Sequence, residues 1–172
     1  MQKRDIAIAG CGPGGLAVAL FLHRAGHRIT LYERFAAAQP VGSGLMIQPT
    51  GLAVLDALGL ADALTRQAAP IQGLHGISVT SGRLALLMDF ATLGPAPRAY
   101  GTHRALLFSI LHDAVQREGI AIETGRTITG TMLRADGGRA LTFEDGRDSP
   151  RFDLVVDAMG ARSPLSRRAA DL

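Results

Sequence analysis

Two short apolar runs separated by a helical pattern open the chain. Residues 5–9 (DIAIA) are almost wholly apolar, which predicts a short buried strand. Residues 16–25 follow with Leu16, Ala19, Leu20 and Leu22 on the packing side of a helix, and Gly26 is placed to end it. Residues 28–33 carry Ile29 and Leu31 in a second strand. A helical crossover between two strands predicts that they lie parallel, with right-handed connection.

The pattern changes after residue 42. Residues 42–44 predict the start of an extended loop, and Thr50 is the expected N-cap of a helix over 51–58 that Gly59 ends. A short helix is expected over 61–67. Residues 71–80 and 83–90 alternate apolar and polar side chains around Ser81-Gly82, which predicts a hairpin. Residues 91–98 are rich in Pro and Gly and read as loop. Leu107, Ile110, Leu111, Ala114 and Val115 mark one face of a long helix over 104–118, closed by Gly119. A strand over 120–123, a hairpin of 127–135 with 139–144 around Asp136-Gly137-Gly138, and an apolar strand over 152–158 complete the pattern. The fold class expected is α/β, with a mostly parallel sheet, flanking helices and antiparallel hairpins.

Composition narrows this picture. The chain has 172 residues, 47% hydrophobic and 19% charged, enough for a packed core in one domain-sized unit. A single cysteine, Cys11, excludes a disulfide framework and a cysteine-based zinc finger. No apolar run is long enough to predict a membrane span. Lys3 and Arg4 precede apolar residues in the manner of a secretory leader, but Gly10, Gly12, Pro13, Gly14 and Gly15 would break a leader's helix. The N-terminus is therefore read as structural and the protein as cytoplasmic. The net charge is +3, and every basic residue except Lys3 is arginine. Those arginines are scattered (Arg24, Arg66, Arg83, Arg117, Arg147), without the clustered footprint of a nucleic-acid binder.

The chemistry concentrates in the first strand–helix joint. GCGPGG, residues 10–15, satisfies G-x-G-x-x-G, follows a predicted strand and opens a predicted helix. Gly10 permits a tight turn, Gly12 lets backbone approach a diphosphate, and Gly15 lets the helix pack close to the sheet. Pro13 and Gly14 complete the turn. The helix start would present free N–H groups and its positive dipole end to the phosphates. Glu33, 18 residues after Gly15, would close the second strand and accept hydrogen bonds from both hydroxyls of an adenosine ribose. Its charge disfavours the 2′-phosphate of NADP in this place, leaving FAD or NAD. Arg34 is a neighbouring candidate, in a position that also suits a surface arginine. Cys11 in the turn is read as a packing residue.

Together with Leu16, Ala19, Leu22, Gly26 and Ile29, this run resembles the longer FAD fingerprint of the glutathione-reductase-like flavoproteins. Three further segments come after it in order: GSGLMIQPTGLAVLDALGL (42–60), HRALLFSILHDA (103–114) and DLVVDAMGARSPLSRR (153–168). With them the chain resembles the N-terminal portion of class A FAD-dependent monooxygenases, the 4-hydroxybenzoate hydroxylase-like aromatic hydroxylases. The resemblance implies a Rossmann-like FAD-binding fold, FAD as cofactor and NAD(P)H as reductant. It also implies hydroxylation of an aromatic or similar small organic substrate through a flavin hydroperoxide. Beyond the joint, it points to Gly44 and Leu45 near the flavin ring, and to Arg104, Asp157 and Gly160, as further cofactor-binding residues. No catalytic residue and no metal ligand is singled out. Met159 stands where the family has aspartate, with Asp157 two positions earlier, a departure that bears on NAD(P)H handling.

The resemblance also implies a division of the chain. Residues 1–70 and 101–172 are expected to form the dinucleotide-binding core, and 71–100 the start of an incomplete substrate-domain sheet. The C-terminal half of the family is missing, so a second chain or a C-terminal half is the expected partner completing the enzyme. The alternatives are an FAD-dependent halogenase or reductase of the same fold, or a non-catalytic FAD- or NAD-binding fragment.

Overall fold

In the computed structural model, β1 (Asp5–Ala9), α1 (Pro13–Arg24) and β2 (Arg28–Tyr32) form the strand–helix–strand unit expected from the sequence. The structure describes residues 2–36, 43–93 and 99–166. The chain divides into two compact units, Met1–Gln39 with Leu111–Leu172, and Pro40–Ile110.

The first unit is built on a four-stranded parallel sheet. β1 pairs with β2 on one side and with the late strand of Leu154–Asp157 on the other, and the strand of Ala121–Glu123 extends the sheet beyond β2. Ala7 and Ala9 face an apolar cluster with Tyr32, Ile128, Leu141, Phe143, Phe152 and Leu165. Strand alternation leaves the fully buried Ile6 and Ile8 for the opposite face, the side of α1. On α1, Leu16, Ala19 and Leu20 are buried at the spacing of one helical stripe. The Tyr32 ring meets Phe143 at 5.4 Å and Phe152 edge-on at 6.1 Å, tying the sheet to the hairpin that covers it.

The second unit contains β3 (Gly44–Ile47), α2 (Pro49–Ala57), α3 (Ala61–Thr65), β4 (Ala69–Ile71), β5 (Gly73–Ile77), β6 (Leu84–Asp89) and β7 (Ala99–His103). A 3-10 turn covers Phe90–Leu93. β3 and β4 flank β7 as an antiparallel sheet, and β5 pairs with β6. Helix α4 (Arg104–Arg117) runs from the second unit into residues counted with the first. The first unit then continues through β8 (Ala121–Glu123), β9 (Ile128–Leu133), β10 (Arg139–Phe143) and β11 (Leu154–Asp157).

Several boundaries differ from expectation, and each difference has a physical reason. Helix α1 starts three residues early because Pro13 sits in its first turn, where a fixed φ suits helix and no N–H is missed. The same effect moves α2: Pro49 begins the helix, Gln48 is its N-cap, and Thr50 lies inside instead of capping it. Residues 44–47 and 99–103, expected as loop or left unassigned, pair with each other as β3 and β7. Their strand character is set by that partner and not by local pattern. Gly42 and residues 94–98 lie outside the described residues, so the loops expected there are not characterised. The strand expected over 71–80 divides, with Ile71 pairing with β7 as part of β4 and the hairpin itself formed by Gly73–Ile77 and Leu84–Asp89; it turns at Gly82, whose φ is +65°, but every residue of β6 is exposed, so its alternation buries neither face.

Two adjacent glycines carry opposite constraints. A Cβ on Gly15 would lie 2.0 Å from the Gly10 carbonyl oxygen, whereas one on Gly14 meets nothing within 4 Å. Gly15→Ala is expected to destabilise the chain by about 3 kcal/mol through forced displacement of the helix. Gly14→Ala should stabilise it by roughly 0.5–1 kcal/mol, since alanine is the better helix former. Urea unfolding of the two variants without ligand checks both signs.

Candidate cofactor site

The C-terminal end of β1 turns sharply into α1. Gly10 makes the turn with φ +103°, and its N–H donates to the Tyr32 carbonyl at 2.9 Å. A Cβ at Gly10 would stand 2.7 Å from the Ala158 carbonyl oxygen, so the loop after β11 closes against this joint. Gly12 is the N-cap of α1, in extended conformation, and supplies no side-chain cap. Leu16 N–H donates to the Gly12 carbonyl at 2.9 Å, the first helical bond. The amides of Gly14 and Gly15 donate to no acceptor among the described residues, as the first turn of a helix requires. No acidic residue occupies that turn to compete for them. A Cβ on Gly12 or Gly14 would meet nothing within 4 Å, so neither is glycine because of packing inside the chain. The joint therefore has free donors, a positive helix end and backbone open to a close neighbour, which suits the diphosphate of a dinucleotide.

Glu33 comes directly after β2. One carboxylate oxygen accepts the Cys11 N–H at 3.1 Å and the other the Phe35 N–H at 3.2 Å. Its own N–H donates to the Glu123 carbonyl, and its carbonyl accepts the Arg126 N–H. The acid is thus held beside the joint by backbone on three segments, a placement the sequence spacing indicated but whose anchors it did not. Arg34 is exposed, with its guanidinium 4.6 Å from the Phe35 ring centre. Cys11 is buried, and burial first, then the Glu33 charge, push its thiol up to about 12. It is a neutral packing residue and adds no negative charge to the joint.

Asp157 ends β11 and turns its carboxylate into its own loop. One oxygen accepts the Met159 N–H at 3.1 Å and the other the Ser163 hydroxyl at 2.6 Å. Gly160 in that loop has φ +80°. The Met159 side chain packs against the apolar cluster under the sheet, where a carboxylate could not sit without loss of hydration. Ser163 is buried at 2% exposure. A serine six residues after an acid at a strand end was the available signal.

Gly44, Leu45 and Arg104 lie in the second unit. Gly44 and Leu45 pair with His103 and Thr102 across β3 and β7, and Arg104 starts α4 with its N–H donating to the Ser43 carbonyl at 3.3 Å. Gly44 has only the Thr102 carbonyl near its missing Cβ, at 3.7 Å, so a side chain would fit there. A cavity of about 510 Å³ opens elsewhere in the first unit. Its four arginines are already matched: Arg28 pairs with Asp5, Arg126 and Arg147 with Asp145, and Arg151 with Asp136 and Asp153. It offers an incoming anion no free cation of that group.

The sequence matches the FAD binding domain family over residues 3–171. The chain belongs to this family. Membership decides between the two dinucleotides the joint allows, in favour of FAD. This FAD binding domain is 32% identical over 171 residues to an FAD-dependent monooxygenase of Aspergillus terreus, covering 95% of the chain and 49% of that protein. It is 34% identical to 3-amino-4-hydroxybenzoate 2-monooxygenase of Streptomyces cremeus, covering 97% of the chain and 43% of the relative. Among solved structures, the tetrameric form of 2-methyl-3-hydroxypyridine-5-carboxylic acid oxygenase aligns with TM-score 0.79 at 21% identity, over 96% of this chain and 42% of that one. That likeness confirms the Rossmann-like α/β fold. The domain spans less than half the length of these relatives. No helix among the described residues is long and apolar enough to cross a membrane.

The raised thiol sets a pH dependence. Cys11 holds its proton in the folded chain after an unfolded cysteine has lost its own near 9, so stability should be level below pH 9 and fall as pH climbs toward 12. Thiol labelling at about pH 8 should be slow on the native FAD binding domain and fast in denaturant. Rapid labelling of the native chain would show the thiol to be accessible after all.

Proposed function

We propose that this chain is the FAD-holding part of a flavin-dependent monooxygenase that hydroxylates an aromatic or similar small organic substrate, with NAD(P)H as reductant. The observation that carries this assignment is the joint itself: orphan amides at the start of α1, open backbone at Gly12 and Gly14, and a carboxylate anchored beside them. Gly10, Gly12, Pro13, Gly14 and Gly15 would hold the diphosphate. Glu33 would take the ribose hydroxyls, with Arg34 beside it at the adenosine end. Asp157 and Gly160 would serve the cofactor through the loop after β11. Gly44, Leu45 and Arg104 are assigned to cofactor binding on the strength of the family resemblance. When bound, the flavin supplies electron transfer to dioxygen and delivery of one oxygen atom to the substrate. The protein's share is to orient it and keep water away.

The relatives' names support the oxygenase reading, since two of them are monooxygenases and one of those acts on a hydroxybenzoate. The remainder of the enzyme is the proposed partner. The β5–β6 hairpin supports this, because Ile77, Leu84 and Leu87 stay more than half exposed, an apolar surface that isolated domains rarely leave open. A second reading, an FAD-binding chain without turnover of its own, is supported by the share of the relatives that the chain spans.

Titration with FAD, monitored by flavin fluorescence, tests the assignment. The chain should bind FAD with 1:1 stoichiometry and acquire a flavin absorbance band. Gly12→Val, whose side chain enters space left free by the protein, should weaken binding at least about tenfold, roughly 1.4 kcal/mol. Its unfolding without FAD should change by less than about 1 kcal/mol. Equal affinity in Gly12→Val and wild type would remove the diphosphate from this joint.

A further inference from the structure

Outside the glycine joint, the loop that leaves β11 carries a polar arrangement of its own. Four bonds close it. Asp157 accepts from Met159 N–H and from the Ser163 hydroxyl, the Ser163 hydroxyl oxygen accepts the Leu165 N–H at 3.1 Å, and Ser163 N–H donates to the Gly160 carbonyl at 3.0 Å. Ser163 is one of two polar residues buried in the described structure. A buried hydroxyl that both donates to a charged acid and accepts from backbone is fully satisfied, so losing either partner leaves a costly orphan.

The loop is also pinned at its two ends by packing. Met159 and Leu165 both sit against the same apolar cluster as Tyr32 and Phe143. Between them Gly160, Ala161 and Arg162 are exposed, and their amides donate to no acceptor among the described residues. The loop departs beside the glycine joint: Ala158 N–H bonds the Ala9 carbonyl at 2.8 Å, and Ala158 is the neighbour that excludes a side chain at Gly10. Three free amides are therefore held next to the joint by a carboxylate bonded to the residues on either side of them.

We propose that Asp157 and Ser163 form a latch that fixes the Gly160–Arg162 backbone for the dinucleotide, Asp157 being a positioning residue that acts through Ser163 and Met159 without touching the cofactor. This rests on the assignment of the chain as FAD-binding. The latch accounts for Met159 as well. The acid is bonded within the loop and Met159 packs against the core.

The test is a double-mutant cycle on FAD affinity, read by flavin fluorescence on the 172-residue chain. Asp157→Ala and Ser163→Ala should each weaken FAD binding about tenfold, the scale of one lost charge-assisted hydrogen bond. The double variant should be no weaker than either single one, because both remove the same latch. Hydrogen exchange should show the Met159 and Leu165 amides losing protection in both variants. If Ser163→Ala does not fold, Ser163→Cys, which keeps the size and a weak donor, is measured in its place. Should Asp157→Ala weaken binding while Ser163→Ala binds as wild type does, the acid touches the cofactor itself and the latch is wrong. A fall in the unfolding midpoint with unchanged affinity would reduce the pair to a purely structural role, and also overturns the proposal. Failure of the wild-type chain to bind FAD overturns the parent assignment, and this one with it.

Discussion

The Gly10 carbonyl and the Gly15 backbone approach so closely that a single carbon added at residue 15 would lie 2.0 Å from the oxygen. This contact sets how near α1 can come to the end of β1. It brings the start of the helix, with its unpaired amides, directly over the strand end. Everything proposed about cofactor binding depends on that separation. A helix one side chain further out would hold the same donors away from any ligand seated at the sheet edge. The glycines of the joint thus divide into two kinds. Gly10 and Gly15 are required by the protein's own backbone, through positive φ and close approach. Gly12 and Gly14 are required by nothing inside the described structure, which is why the proposed reading gives them to the diphosphate.

Two carboxylates border this joint and are used differently. Glu33 is anchored through the amides of Cys11 and Phe35, which orient it while leaving acceptor capacity for ribose hydroxyls. Asp157 is exposed, but both its carboxylate oxygens are bonded within its own loop, to Met159 N–H and the Ser163 hydroxyl. The strands that carry them lie on either side of β1, so one parallel sheet supplies both. The difference arises in the chain just past each strand. After β2 the backbone continues in an exposed turn, whereas after β11 it folds back under the sheet and packs Met159 and Leu165 against the core.

The first strand–helix–strand unit was legible because its signals are local. Apolar runs, helical spacing and glycines with positive φ all act within a few residues, and they agree with one another. The candidate site was legible to the same extent: the joint and Glu33 sit where their spacing implies. β3 and β7 were not legible. GLMI and AYGTH have little strand pattern of their own, and each is a strand because the other lies beside it. The helix starts at Pro13 and Pro49 lie two or three residues ahead of the positions that hydrophobic spacing suggests. Proline at a first turn extends a helix backwards, where it would break one further in.

By itself the sequence determined an α/β chain with a glycine-rich joint for a dinucleotide and an acid at the end of the second strand. Those features are signalled by short-range sterics, in glycines at a strand–helix joint and apolar runs on either side of it. Tertiary structure decided which groups the acids meet. Only folding brings Cys11 N–H to Glu33 across 22 positions, and only the turn after β11 gives Asp157 to Ser163 and Met159 to the core. A side chain's partners depend on what the sheet order sets beside it, and that order is fixed by pairings between strands far apart in the chain.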